Sequence, residues 1–493
     1  MPNAHRLLRL GASSLLAPFM FVALIFGAAC SEAPVAPWPR VAPSEVARDV
    51  TTPGGDLALV RTLLLQLSAN GSLSSGQVDA LLDELEAAMR RRRSGDDRPG
   101  GNYFGPLLAQ LQALVASGVL TPLQAQPLVD AVQQLAGRGV ARRTIAAGYR
   151  FTCALTDTGM AQCWGSNALG QLGDGTTITR LSPVAVQGGM TFRQVTAGSD
   201  HACGLTGDGT AYCWGGNNTG QLGDGSTIDR RTPTAVATTR RFSSISAGGY
   251  HTCALSLTGH PFCWGRNDVG MLGDGTSETR TVPRPVADER VYTEVWGAAF
   301  HSCGIVGGAG AFCWGWNAYA QLGDGTLTSR LLPTPVANGT QFVHIFPYYV
   351  HGCALDAAGA ASCWGDNGGG SLGDGTTTRR MVPTPVLGGW RFATLSKAPD
   401  LGSFTCGVWS GGTTFCWGIN NYGQVGDGTN TSRSVPTPIG VWPPLTEVTG
   451  GGEHNCGRAS GRDIYCWGGN FTGQVGDGTT TTRLRPTRVT LAP

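Results

Sequence analysis

The chain has 493 residues, with 35 Lys and Arg against 33 Asp and Glu for a formal charge of +2, and Lys397 is its single lysine. So even a balance carries no basic stripe for a phosphate backbone, which excludes nucleic acid as a partner. The 75 Gly and 28 Pro call for many tight turns, and the 15 Cys point to an oxidising compartment.

Residues 1–30 read as a secretory signal: Arg6 and Arg9, an apolar run from Leu15 to Phe26, then Gly27, Ala28, Ala29 and Cys30. The small residues before Cys30 resemble a bacterial lipobox, in which the thiol is lipidated and becomes the mature N-terminus. Gly27 stands where that pattern usually has Leu. Cleavage by the ordinary signal peptidase and an uncleaved span are the other readings, and all three place the body of the chain outside the cytoplasm. The expected location is the cell envelope or cell surface, with the chain held to the membrane through an N-terminal lipid on Cys30; the alternative is secretion. Residues 31–55 carry Pro34, Pro37, Pro39, Pro43 and Pro53 with few large apolar side chains, so they are expected to form an extended tether.

Over residues 56–138 Gly and Pro thin out and apolar residues recur at helical spacing. Leu64, Leu67, Gly71, Leu73, Ser74, Gln77 and Leu81 match Leu111, Leu114, Gly118, Leu120, Thr121, Gln124 and Leu128 at an offset of 47. Each copy predicts a helix ended by Gly, then a capping box from Ser74 or Thr121 to the Gln three residues on, then a second helix. Two such hairpins are expected to form one small four-helix unit. Arg90 to Arg93, in the link, are expected to be a solvated helix end.

From residue 140 to 493 one unit recurs seven times. Its first cysteine falls at Cys153, Cys203, Cys253, Cys303, Cys353, Cys406 and Cys456, and its second ten residues later at Cys163, Cys213, Cys263, Cys313, Cys363, Cys416 and Cys466. The period is 50, with one step of 53 between the fifth and sixth units. A strand-rich repeat of this size points to a propeller. In the third unit the predicted strands are roughly 242–246, 251–255, 261–264 and 282–286. The turn at Leu257, Thr258 and Gly259 sets Cys253 opposite Cys263 in an antiparallel hairpin, so seven cross-strand disulfides are expected. Nine residues between paired strands give no tetrahedral cage, so no metal is expected. The fourth strand carries Pro283 and Pro285 and their equivalents, which predicts a blade edge. Because the first unit starts at Thr144 and the last ends near Val489, pairing start with end in one blade is the expected closure.

With those residues in hand, the repeat resembles the regulator of chromosome condensation family. The hallmark runs from His201, through a Gly turn at Gly209 and Trp214, Gly215 and Asn217, to Gly220, Gln221, Leu222 and Gly223. The resemblance implies an all-β, seven-bladed β-propeller, here preceded by a small all-α helical-hairpin domain. It does not imply one activity. Family roles include nucleotide exchange on a small nuclear GTPase, which an exported chain does not meet. Ultraviolet-B sensing would need tryptophans in the loop before the repeated His, where this chain has Gly148, Tyr149, Arg150 and Phe151. A third role is secreted inhibition of β-lactamase.

His201, His251, His301, His351 and His454 occupy one place in five units, with Phe151 and Phe404 in the other two, so they are expected to be structural. Asp174, Asp224, Asp274, Asp324, Asp374, Asp427 and Asp477 each precede an Arg by six, a spacing that can pin the turn by a local ion pair or Asx bond. No Ser/His/Asp or paired-carboxylate set stands apart from the repeat, so no catalytic residue, cofactor or enzyme activity is expected. Binding is expected in the loop before the His position, where Tyr149, Arg150, Tyr250, Trp296, Phe300, Phe346, Tyr348 and Tyr349 vary between units. Trp316 is placed at the border of that patch. The expected function is a monomeric, lipid-anchored propeller that binds a protein partner through one face. The alternatives are a secreted enzyme inhibitor and a cell-surface glycan binder using the same aromatics.

Overall fold

Every repeat folds as its own four-stranded antiparallel sheet, giving seven sheets in sequence order around a ring. The computed structural model describes residues 55–93, 105–120, 124, 125, 128, 132 and 144–491, except 338, 399–401, 442 and 460–462. The predicted signal, Cys30 and the Pro-rich tether lie outside the described residues, as do the side chains of Arg90 to Arg93 and most of the predicted fourth helix.

The helical unit comprises α1 (Gly55–Ala69), α2 (Ser75–Arg93) and α3 (Gly105–Ala116). Helix α1 stops because Gly71 takes φ +75°, letting the Ser72 amide reach back to the Leu67 carbonyl at 2.9 Å. The capping box forms as predicted: the Gln77 amide donates to Ser74 Oγ, and the Ser74 amide donates to Gln77 Oε1 at 2.8 Å. Leu64, Leu67, Leu81 and Leu85 share one core with Leu107, Leu111, Leu120 and Leu128, so the two copies of the motif pack as a single body.

The first blade holds β1 (Ile145–Ala147), β2 (Phe151–Leu155), β3 (Ala161–Gly165) and β4 (Arg180–Ala185), and the last holds β25 (Leu445–Gly450), β26 (His454–Ala459), β27 (Ile464–Gly468) and β28 (Arg483–Val489). Strands β5 to β24 fill the five blades between. In the third, β9 (Phe242–Ala247), β10 (His251–Ser256), β11 (Pro261–Gly265) and β12 (Arg280–Pro285) pair in that order, with Cys253 opposite Cys263. All seven expected disulfides form, each spanning ten residues. A loop this short contributes about 2–3 kcal/mol per bridge in the chain-entropy account. The proline-bearing fourth strand pairs on one side only, as its missing amides require.

The expected closure is corrected by the sheet order: start and end do not share a blade, because each repeat already supplies an inner strand and an outer edge. The ring closes through the same side-chain stitches that join every other pair of blades. Trp164 Nε1 donates to the Gln474 carbonyl at 3.0 Å, just as Trp264 Nε1 donates to that of Gln221. The Gly478 amide donates to the Leu181 carbonyl at 2.9 Å, as the Gly225 amide does to Thr281, which covers the edge strand of the next blade. At the closing seam Thr144 Oγ1 also donates to Glu447 Oε2 at 2.8 Å.

Candidate functional site

The repeated polar residues turn out to be frame. His201, His251, His351 and His454 each reach the hydroxyl two residues into the next blade's second strand, at 2.7–3.0 Å: Thr252, Ser302, Thr405 and Thr152. Those hydroxyls spend their one hydrogen on a carbonyl of the preceding blade, as in Thr252 to Gln221 and Ser302 to Met271, both at 2.8 Å. The imidazole Nε2 therefore carries the proton, and the ring is neutral. Burial holds all five histidines down to about 3. Where the first blade has Phe151, its neighbour presents Ala202, so neither partner needs a hydrogen bond.

Each Asp of the Gly-Asp-Gly turn is likewise consumed locally. Asp174 accepts from the Thr176 amide and hydroxyl, from Asn167 Nδ2 and from Arg180 Nε, all within 3.1 Å. Burial works against its ionisation, but those donors outweigh it and hold the carboxyl below its ordinary range. Both of the expected devices, ion pair and Asx bond, operate together. Among the described residues no three His, Cys, Asp or Glu side chains gather to hold a metal.

What varies is one end of the ring, where the loops between first and second strands and between third and fourth strands emerge together. On blades three to five these loops bring five rings into contact. Tyr250 stacks on Phe300 at 5.8 Å; Phe300 meets Trp316 at 5.6 Å and Tyr349 at 6.0 Å; Trp316 meets Tyr319 edge-on at 5.2 Å. Arg266 lies over both Tyr250 and Phe300 while paired to Asp268 at 2.6 Å, and Arg379 lies over Tyr319. Tyr250, Phe300 and Tyr349 are half-buried, so each offers part of a ring to solvent.

The other predicted residues lie elsewhere. Phe346 is buried within β17 (Phe342–Pro347), because that strand runs on past the expected loop boundary. Tyr348 is fully buried: its ring stacks on His351 at 4.2 Å and its hydroxyl donates to the Ser396 carbonyl at 2.7 Å. Trp296 belongs to β13 (Tyr292–Gly297) and, with Lys397, lines a residual space of about 20 Å³ bounded by first-strand residues of five blades. Lys397 Nζ sits over the Trp296 ring. These three aromatics are therefore removed from the predicted surface patch.

Trp296 also donates through Nε1 to Glu294 Oε2 at 3.1 Å, and Glu294 Oε1 meets His344 Nδ1 of the next blade at 2.6 Å. Burial pushes the Glu294 carboxyl up, but His344, Trp296 and Lys397 outweigh it and hold the group down to about 2.

Tyr149 and Arg150 stand at the same end of the ring but in a second cluster. Arg150 lies over Tyr149 at 5.0 Å and over Phe471 at 5.8 Å, and its Nε pairs with Glu453 at 3.2 Å. Phe471 meets Tyr422 edge-on at 5.1 Å, and these two rings are 46% and 39% exposed. Tyr319, Tyr422 and Phe471 were missed in the sequence because they sit inside the repeated Asn-to-Gly loop, which reads as frame. Setting the repeats side by side would have found them, since other blades carry Thr219, Val269 or Gly369 in the place of Tyr422.

The comparisons fit this architecture. The RCC1-like domain model matches residues 100–399, more than half of the chain, and the regulator of chromosome condensation (RCC1) repeat model matches residues 411–457. The crystal structure of human WBSCR16 is 19% identical, covers 66% of this chain and 93% of its own, and has a TM-score of 0.60. Yeast RCC1 (Prp20), solved with Kap60, is 18% identical with 71% and 86% covered and a TM-score of 0.61. Prp20p from Saccharomyces cerevisiae, described with its binding to Gsp1p and histones, is 21% identical with 62% and 80% covered and a TM-score of 0.55. A comparison with curated protein sequences finds no match. At these identities the solved structures speak for the fold, and the match to the family model speaks for descent: the chain belongs to the RCC1-like domain family.

Proposed function

We propose that this propeller is an exported, lipid-anchored binding protein that takes a protein partner on the loop end of blades three to five. The observation that carries the reading is the contact chain Tyr250, Phe300, Trp316, Tyr319 and Tyr349 with Arg266 and Arg379 laid on it. Tyr, Trp and Arg held rigid at a surface are the residues that dominate protein interfaces. Binding, not catalysis, is the role: four of the five repeated histidines are spent on hydroxyls of the next blade and the repeated aspartates on their own turns. Export is supported by the seven bridges, which persist in an oxidising compartment. The solved relatives include a protein that binds Kap60, Gsp1p and histones, but 18–21% identity carries none of those partners to this chain.

The test is capture from the envelope fraction of the source cells with the full chain and with a Phe300→Ala/Trp316→Ala variant of equal melting temperature. Loss of a captured polypeptide with the variant supports the reading, and equal capture by both refutes it. If the captured polypeptide is an enzyme whose turnover stops on binding, the protein is an inhibitor. Intact mass checks the anchor: a diacylglycerol-modified Cys30 with fourteen bonded cysteines is expected, and an unprocessed Met1 with free thiols would overturn export.

A further inference from the structure

Two aromatic clusters, not one, stand on the loop end of the ring. Tyr149 and Tyr349 hold equivalent places two residues before the repeated His position, Arg150 holds the place of Tyr250, and Tyr422 and Phe471 come from the same third-to-fourth-strand loop as Trp316 and Tyr319. All of them therefore face the same way. The first cluster occupies blades three to five, and the second occupies blades six, seven and one. Between them on one side lies the side-chain-poor loop Gly368 to Gly370 of blade five, and on the other blade two, which carries Asp200, Asn218 and Thr219 in the corresponding loops.

The two clusters share a construction. In each, one guanidinium lies over rings from two adjacent blades and is paired to a carboxylate: Arg266 over Tyr250 and Phe300 with Asp268, and Arg150 over Phe471 and Tyr149 with Glu453. The fold does not ask for the second cluster. At the place of Phe471 other blades carry Ala168, Asn218, Ala318 and Gly368, and they close equally well. Tyr422 and Phe471 remain more exposed than any ring of the first cluster.

We infer that the partner is a folded globular domain that lies across the mouth of the ring and is held at both clusters. This rests on the binding face proposed above. A standard interface engages about 20–30 residues a side and about 800 Å². The first cluster, with seven residues, is too small for that, while the two clusters together span six of the seven blades. Each guanidinium is already neutralised by its own carboxylate, so the contact is led by the rings and changes little with salt. Two anchors on one rigid face also act as a bivalent site, in which loss of either one costs much of the total.

The experiment places photoreactive benzoylphenylalanine at Tyr319 or at Tyr422 of the full chain in its own cells. The expected result is the same crosslinked polypeptide from both positions, of domain size, with the yield at Tyr319 falling at least 10-fold when Tyr422→Ala/Phe471→Ala is added, and the reverse with Phe300→Ala/Trp316→Ala. Thermal melts of each variant confirm that the ring is intact. If Tyr319 crosslinks but Tyr422 yields nothing, a different product or only a short peptide, the two-point inference is overturned and the single-cluster reading stands. If neither position yields a product that depends on the first cluster, the proposed binding face itself fails.

Discussion

The junction between blades three and four and the junction between blades four and five are assembled from equivalent positions and held by different forces. At the former, His251 donates to Ser302, Ser302 to the Met271 carbonyl, and the Gly297 amide to Ser246 Oγ at 3.1 Å. At the latter, Gly352 replaces the hydroxyl and both nitrogens of His301 are left without a partner. Pro347 has no amide to be capped, which frees the position of Ser246 for Trp296. In exchange the Glu294–His344 pair crosses the junction at 2.6 Å. A neutral relay has been traded for a carboxylate–imidazole clasp, and the lesson is that a repeated interface tolerates loss of its own motif when a neighbouring layer takes over.

The largest effect that sharpens this comparison is acid lability. Five histidines that fold neutral at about 3, against an ordinary value near 6.5, refuse protons that the unfolded chain accepts. Their contribution is whole above the unfolded value and is lost as pH falls from about 6.5 to 3. Denaturant titrations at a series of pH values should show stability climbing steeply with pH in that window; a flat profile would show that the rings are not buried neutral. Glu294, depressed to about 2, adds a further positive slope below about 4.5, which Glu294→Gln should flatten.

Next in size is Glu294→Ala, which takes the carboxylate away from His344 and Trp296 and removes the clasp where no relay stands behind it. We expect a loss of about 2–4 kcal/mol in urea unfolding. Ser302→Ala should cost less, about 1–3 kcal/mol, by leaving the His251 Nε2 hydrogen without its acceptor, while the Met271 carbonyl keeps Trp314 Nε1 at 3.0 Å. Smallest is His301→Phe, which copies the solution at Phe151 and removes two orphaned nitrogens; a change within about 1 kcal/mol of zero is expected. A loss as large as that of Ser302→Ala would mean that His301 already has a partner.

The ring, its strand order and its bridges were readable because each rests on spacing: a period of 50, cysteines ten apart and a Gly turn between them. The Asp to Arg spacing of six was readable for the same reason, being local. Closure was not, since Thr144 to Ala147 looks like a fragment until it is seen to pair with β2 in its own sheet. The binding surface was half legible. Aromatic identity does not say whether a residue lies before or after the last rung of a strand, so Trp296 and Phe346 were placed in loops although they belong to β13 and β17. Tyr348 occupies the place of Gly248 and folds inward over His351, a choice made by space between blades and invisible along the chain.

Closing the circle without a shared sheet has a consequence for ancestry and engineering. No strand acts as a dedicated latch, so no pair of ends is privileged, and ring size follows from copy number and the wedge shape of one unit. Cutting the gene at another inter-blade link and rejoining the old ends should give a circular permutant with the same bridges. Whole units can then be gained, lost or exchanged by unequal recombination with no lock to reinvent, leaving the loop ends free to diverge one blade at a time.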